Sequence, residues 1–157
     1  MNTTQITRIL STCKLTKHCF RGVYSIDMIP SFVHKKPSSF IINTDPSYKP
    51  GTHWVAIHFP LRGPAEFFDS FGRAPFDKRF TKFILNNSDR YIYNSIELQH
   101  PYSLMCGKYC CLYLVDRCSD KTLKTFLNRF NKNMTKMNDQ IVNLLFKKIF
   151  KKKKQQK

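Results

Sequence analysis

Apolar positions along the chain fall into blocks of two periods, and the blocks predict its elements. From Thr3 to Cys13, Ile6, Ile9 and Leu10 recur at helical intervals, so a first helix is expected there. Phe20 to Pro37 mixes polarity around two prolines and reads as a loop. Ser39 to Thr44 (SFIINT) reads as a strand. His53 to Phe59 (HWVAIHF) and Ala65 to Asp69 (AEFFD) read as a hairpin turned through Pro60, Gly63 and Pro64. Phe76, Phe80, Phe83 and Ile84 give Pro75 to Asn87 a helical stripe, with proline suited to the first turn. Tyr91 to Leu98 alternates like a strand, whereas Cys106 to Cys118 is apolar nearly all round and predicts a buried helix. Helices are also expected over Lys121 to Phe130 and Asn138 to Phe150. In the second of these, Ile141, Leu144, Leu145 and Ile149 share a face that Lys148 interrupts.

No repeat or Gly/Ser linker divides the chain, so one domain over residues 1–150 and a lysine-rich, disordered tail over 151–157 are expected. The predicted fold class is α+β, a central antiparallel sheet flanked by helices. The 157 residues are 41% hydrophobic and include 14 Phe, enough for a packed core and against disorder of the whole chain.

Charge adds a partner to this picture. Lys and Arg number 27 against 10 Asp and Glu, a net charge of +17, which favours a polyanionic partner, nucleic acid before a membrane face. Seven lysines fall between Lys147 and Lys157, and about +10 remains elsewhere. Lys147, Lys148, Lys151, Lys152, Lys153 and Lys154 are the candidate nucleic-acid contacts. A solvated basic face, an import signal or a membrane-surface contact would use the same charges. No apolar run approaches the ~20 residues of a membrane span, and Met1 to Thr12 lacks a signal-peptide layout. An intracellular protein with reduced cysteines is expected. The six cysteines form no CxxC pair, so neither a disulfide scaffold nor a metal site is expected.

Cys106 opens the apolar helix, where free backbone N–H groups and the positive end of the helix dipole lower a thiol pKa. Gly107 beside it leaves room for close approach. A structural cysteine in a buried helix is the competing reading, and it suits Cys110 and Cys111. A thiolate nucleophile needs a base, and the base needs an orienting group. His53 begins one strand of the hairpin and Asp69 ends the other, so the two are neighbours across it. A water-facing histidine and a turn-forming aspartate are the plain alternatives for each alone. His58 alternates to the opposite face from His53 and cannot share its site. The backbone N–H of Cys106 and the side-chain amide of Gln99, seven residues earlier, are candidate oxyanion donors.

The order His, acid, Gln, Cys resembles the adenovirus maturation protease family and its relatives in adintoviruses and Polinton-type elements. The matching segments are GTHWVAIHF (Gly51 to Phe59), EFFDSFG (Glu66 to Gly72) and QHPYSLMCGKYCCLYL (Gln99 to Leu114), with GVYSIDMIPSF and SFIINTD similar in order. The resemblance runs over roughly residues 5–118 and leaves the region from Ser119 without a counterpart. It implies a cysteine protease fold of the papain-like, ubiquitin-like-protease type. It also implies His53 as general base, Asp69 as its orienting acid, Cys106 as nucleophile and Gln99 as oxyanion donor.

The same resemblance implies cleavage of viral precursor proteins at Leu-x-Gly-Gly or Leu-x-Gly-x sites during virion maturation, with DNA as activator. A monomer acting in the virion and host nucleus is the corresponding expectation. The family captures an activating peptide through a cysteine after an Asp-Arg pair. Here Asp89-Arg90 is followed by Tyr91, so that disulfide has no partner, and a non-covalent strand-adding peptide is the form left open. Two other readings stand beside it. One is a protease for ubiquitin-like modifiers, which shares the residue order. The other is a non-catalytic basic DNA-binding packaging protein.

Overall fold

The computed structural model describes residues 1–151. Five strands lie in the order β1-β2-β3-β4-β5: β1 (Phe20–Ser25), β2 (Ser38–Asn43), β3 (Trp54–Phe59), β4 (Ala65–Phe68) and β5 (Tyr91–Tyr93). The middle three pair antiparallel, as the hairpin pattern requires. Both outer pairs are parallel, so the sheet is mixed rather than wholly antiparallel. A parallel neighbour needs a crossover, and α2 (Lys78–Asn87) supplies the one between β4 and β5. Alternation alone carries no strand direction, which is why the outer pairs escape a reading from periodicity.

β1 is the element missed altogether. Its register slips between Phe20 and Gly22, and Gly22 sits at φ 149°, a bulge that breaks the period-two signal. At the other edge, the strand expected through Leu98 stops at Tyr93. Asn94 ends it by donating from Nδ2 to the carbonyls of Asp69 and Ile96, while its Oδ1 accepts from the Ile96 N–H.

The sheet separates two cores. On one face, Phe40, Ile42, Val55, Ile57, Phe59 and Phe67 pack against Phe80, Phe83 and Ile84 of α2. On the other, Ile41, Trp54, Ala56 and Phe68 pack against α3 (Cys106–Cys118), which is backed by α1 (Thr3–Thr12), the short α4 (Leu123–Leu127) and α5 (Thr135–Phe150). Phe68 stacks on Tyr113 of α3 at 4.6 Å between ring centroids. Glu66 of β4 reaches the same helix. It accepts from Tyr113 Oη at 2.9 Å and from Arg117 through Nε and Nη2, at 3.0 and 2.6 Å for the nearer contacts. Burying this carboxylate is tolerable because it is paired and hydrogen-bonded at both oxygens. The helix carrying Cys106 is thus fixed to the sheet by rings and by charge.

Helix α5 supports the site from behind. Asn138 donates to the Leu98 carbonyl at 3.1 Å and Asp139 accepts from Tyr109 Oη at 2.9 Å. The C-terminal third therefore steadies the loop that carries Gln99.

Candidate active site

His53 lies one residue before β3 and Asp69 one residue after β4, at the same end of the hairpin. Their side chains meet: His53 Nε2 is 2.8 Å from Asp69 Oδ1. Asp69 is fully buried, and its other contacts are the Phe71 N–H at 2.9 Å on Oδ1 and Arg73 Nε at 2.7 Å on Oδ2. With Nε2 engaged by the acid, Nδ1 is the ring nitrogen left to serve Cys106. Phe71 lies flat against the imidazole, 4.9 Å between centroids and 20° between planes, which fixes the ring's tilt. Arg73 in turn covers Phe71 and Phe76, at 5.6 and 4.3 Å from their centroids. Gly72 makes the turn possible. Its φ is 72°, and a Cβ there would stand 2.6 Å from the Ile96 carbonyl carbon.

Cys106 is the first residue of α3, and the residue before it, Met105, provides no side-chain cap. The first N–H groups of the helix are left for another acceptor. Burial pushes the Cys106 thiol up, but the hydrogen bond and charge of His53, with the backbone N–H groups of Trp54 and Gly107, bring it below its ordinary value. For His53 burial works downward. Hydrogen bonds to Asp69 and Cys106 outweigh it and raise the imidazole to about 9. Burial would raise Asp69, yet the bond from His53, the Phe71 N–H and the Arg73 charge hold it below the usual carboxylate range. A thiolate, an imidazolium and a carboxylate in line can perform nucleophilic acyl transfer.

Gln99 is buried in the loop ahead of α3 and held at both ends of its amide. Ser70 Oγ donates to Oε1 at 2.6 Å, and Nε2 donates to the Ser103 carbonyl at 2.8 Å. One N–H of Nε2 stays free to donate. The Leu98 and Gln99 backbone N–H groups both bond the Ser70 carbonyl, so this loop is tied to the residue after Asp69. Gly107 admits the Trp54 ring and Met1: a Cβ there would lie 3.3 Å from Trp54 Cδ1 and 3.4 Å from Met1 Cβ.

The structure therefore brings His53, Asp69 and Cys106 together, and fixes Gln99 in the adjoining loop. His58 lies elsewhere, bonded through Nδ1 to Ser39 Oγ. Lys147 and Lys148 are exposed in the last turn of α5, with Lys151 exposed just beyond it. Lys152, Lys153 and Lys154 lie outside the described residues. Ser70, Phe71, Arg73 and Asn94 are the supporting residues that sequence reasoning missed. The only signal for them is the SFG run directly after the acid.

A mixed sheet with a cysteine-headed helix against it, and a histidine and acid at one hairpin end, is the arrangement that a cysteine protease requires. The chain belongs to the adenovirus endoprotease family, whose match covers residues 20–156 and so extends past Ser119 into the region that had no counterpart. It is 29% identical over 137 residues to the protease of fowl adenovirus A serotype 1, covering 76% of this chain and 66% of that protein. It is 28% identical over 102 residues to the protease of bovine adenovirus C serotype 10, covering 54% and 51%. The chain thus spans between half and two thirds of the length of these relatives. The central domain of an uncharacterised Legionella pneumophila protein has a similar fold, with a TM-score of 0.53, 13% identity and coverage of 96% and 97%. Among the described residues, no helix is long and apolar enough to cross a membrane.

Proposed function

We propose that this chain is a cysteine endopeptidase that cleaves viral precursor proteins at Leu-x-Gly-Gly or Leu-x-Gly-x sites during virion maturation, with DNA as a stimulating partner. The observation that carries the reading is the 2.8 Å contact between His53 Nε2 and Asp69 Oδ1, with Cys106 heading α3 on the other side of the imidazole. The Cys106 thiolate attacks the scissile carbonyl carbon. The oxyanion that forms takes hydrogen bonds from the Cys106 N–H and the free N–H of Gln99. His53, protonated at Nδ1, gives that proton to the leaving amine. It then takes one from the water that releases the acyl group, and the sulfur leaves as thiolate, which restores the thiolate–imidazolium pair. Asp69 keeps the ring oriented and its charge compensated throughout.

Lys147, Lys148 and Lys151 are the charges proposed to meet DNA. Lys108 feels the same charges: burial lowers its pKa, and the charges of Lys151 and Lys147 lower it further. An activating peptide, where one is used, would bind without a disulfide because Tyr91 follows Asp89-Arg90. The test is hydrolysis of peptides containing Leu-x-Gly-Gly-x and Leu-x-Gly-x-Gly, with and without duplex DNA. Cleavage after glycine, faster with DNA and lost in Cys106→Ala, is expected. Cleavage restricted to a folded ubiquitin-like fusion would favour the modifier-protease reading. Tight DNA binding with no cleavage of either would favour the packaging-protein reading.

A further inference from the structure

On the α3 face of the sheet, far from the Cys106 end of the helix, two further cysteines converge on one hydroxyl. Cys19 precedes β1 and is wholly buried; Cys118 is the last residue of α3 and is 6% exposed. Ser39 Oγ on β2 lies 3.2 Å from Cys19 Sγ and 3.8 Å from Cys118 Sγ, and 2.6 Å from His58 Nδ1 on β3. The backbone holds the arrangement still, since the Ser39 N–H donates to the Cys19 carbonyl at 2.9 Å. Both sulfurs thus lie around a single serine oxygen. The nearness of Cys118, against burial and helped by His58 and Ser39, draws the Cys19 thiol well below its ordinary value, while Cys118 is pushed up. Cys19 is therefore the sulfur of the two that loses its proton more readily. The protease chemistry at His53, Asp69 and Cys106 uses neither.

We propose that Cys19 and Cys118 are a redox-responsive dithiol, which a small hydroperoxide converts to a disulfide that pins the sheet edge to the far end of α3. The Cys19 thiolate attacks one peroxide oxygen and breaks the O–O bond. This leaves a sulfenic acid on Cys19 and a hydroxide that takes a proton from solvent. Cys118 sulfur then attacks Cys19 sulfur and the S–O bond breaks. The Cys118 proton leaves with the departing hydroxide as water, and the S–S bond forms. Two thiols are oxidised and one peroxide is reduced to two waters. Burial of Cys19 selects small oxidants over bulky alkylating reagents. The cross-link joins a segment before β1 to a helix end about a hundred residues away, so it constrains the unfolded chain over a long loop.

The experiment treats the full chain with hydrogen peroxide near neutral pH. Remaining thiols are then blocked, and an unreduced digest is read by mass spectrometry. The expected product is a Cys19–Cys118 linked peptide pair about 2 Da lighter than its reduced components, reversed by dithiothreitol and accompanied by a higher Tm. In Cys118→Ser the second step has no thiol, so Cys19 should stop at the sulfenic acid and be captured by dimedone. Recovery of both residues as blocked free thiols, at peroxide doses that oxidise Cys106, would overturn the proposal. So would direct conversion of Cys19 to sulfinic acid in the wild-type chain. The wild-type digest decides the matter even if the variant fails to fold.

Discussion

Replacing Asp69 by Asn tests the electrostatics of the site most sharply. An asparagine oxygen can still accept from His53 Nε2, so the ring keeps its partner and loses only the charge beside it. His53 stands at about 9 against an ordinary 6.5. At about 1.4 kcal/mol per pH unit that gap is roughly 3 kcal/mol of preference for the imidazolium, held against the burial that opposes it. Asp69 and the Cys106 thiolate share this preference. With the carboxylate gone and the burial unchanged, His53 falls by at least about one pH unit, and the equilibrium constant for the thiolate–imidazolium pair against the neutral pair falls at least ~10-fold with it. Because His53 is raised, its imidazolium persists above the ordinary 6.5 and is lost as pH climbs through about 9, which sets the alkaline limb of the ion pair. The acid limb lies below the ordinary thiol value, in the direction Cys106 is shifted. The assay is kcat/KM against pH on a cleaved peptide. Asp69→Asn should move the alkaline limb down from about 9 by at least about one pH unit and slow turnover at least about twofold at pH 8. An alkaline limb that stays near 9 in the variant would refute the assignment of the raised imidazole to Asp69.

Further expectations concern the supports. Ser70→Ala leaves the buried Gln99 Oε1 without its 2.6 Å donor, so stability should drop by about 1–3 kcal/mol. In the same variant kcat should fall about tenfold with KM little changed, read by steady-state kinetics. Gly72→Ala puts a Cβ 2.6 Å from Ile96 backbone at a φ of 72°, and should lower Tm by at least about 4 °C in a thermal melt. Lys147→Gln with Lys148→Gln should reduce the slope of log K against log salt for DNA by roughly 1.8, and an unchanged slope would remove α5 from the DNA contact.

The residues of the candidate site were legible because their signals are local. A helix-start cysteine and the two ends of a short hairpin can be read from spacing, and Cys106–Cys118 matches the expected helix at both ends. Strand direction was not legible. It depends on crossovers such as α2 and on the bulge at Gly22, where a bent backbone hides the alternation. Nor were the supports of the site. Phe71 stacks on His53 and Asn94 bonds the Asp69 carbonyl only after the chain folds back, and neither residue is marked by any period. The helices after Ser119 were placed by their periodicity, but what they do, holding Leu98 and Tyr109 through Asn138 and Asp139, is a tertiary fact.

The central claim, a thiolate at Cys106 paired with His53, is tested most directly by the rate of iodoacetamide alkylation near pH 6, located by mass spectrometry. It requires no substrate. The account predicts fast labelling of Cys106, well ahead of the partly exposed Cys13, and loss of that rate in His53→Ala. Labelling of Cys106 no faster than Cys13, or equally fast without His53, would contradict it.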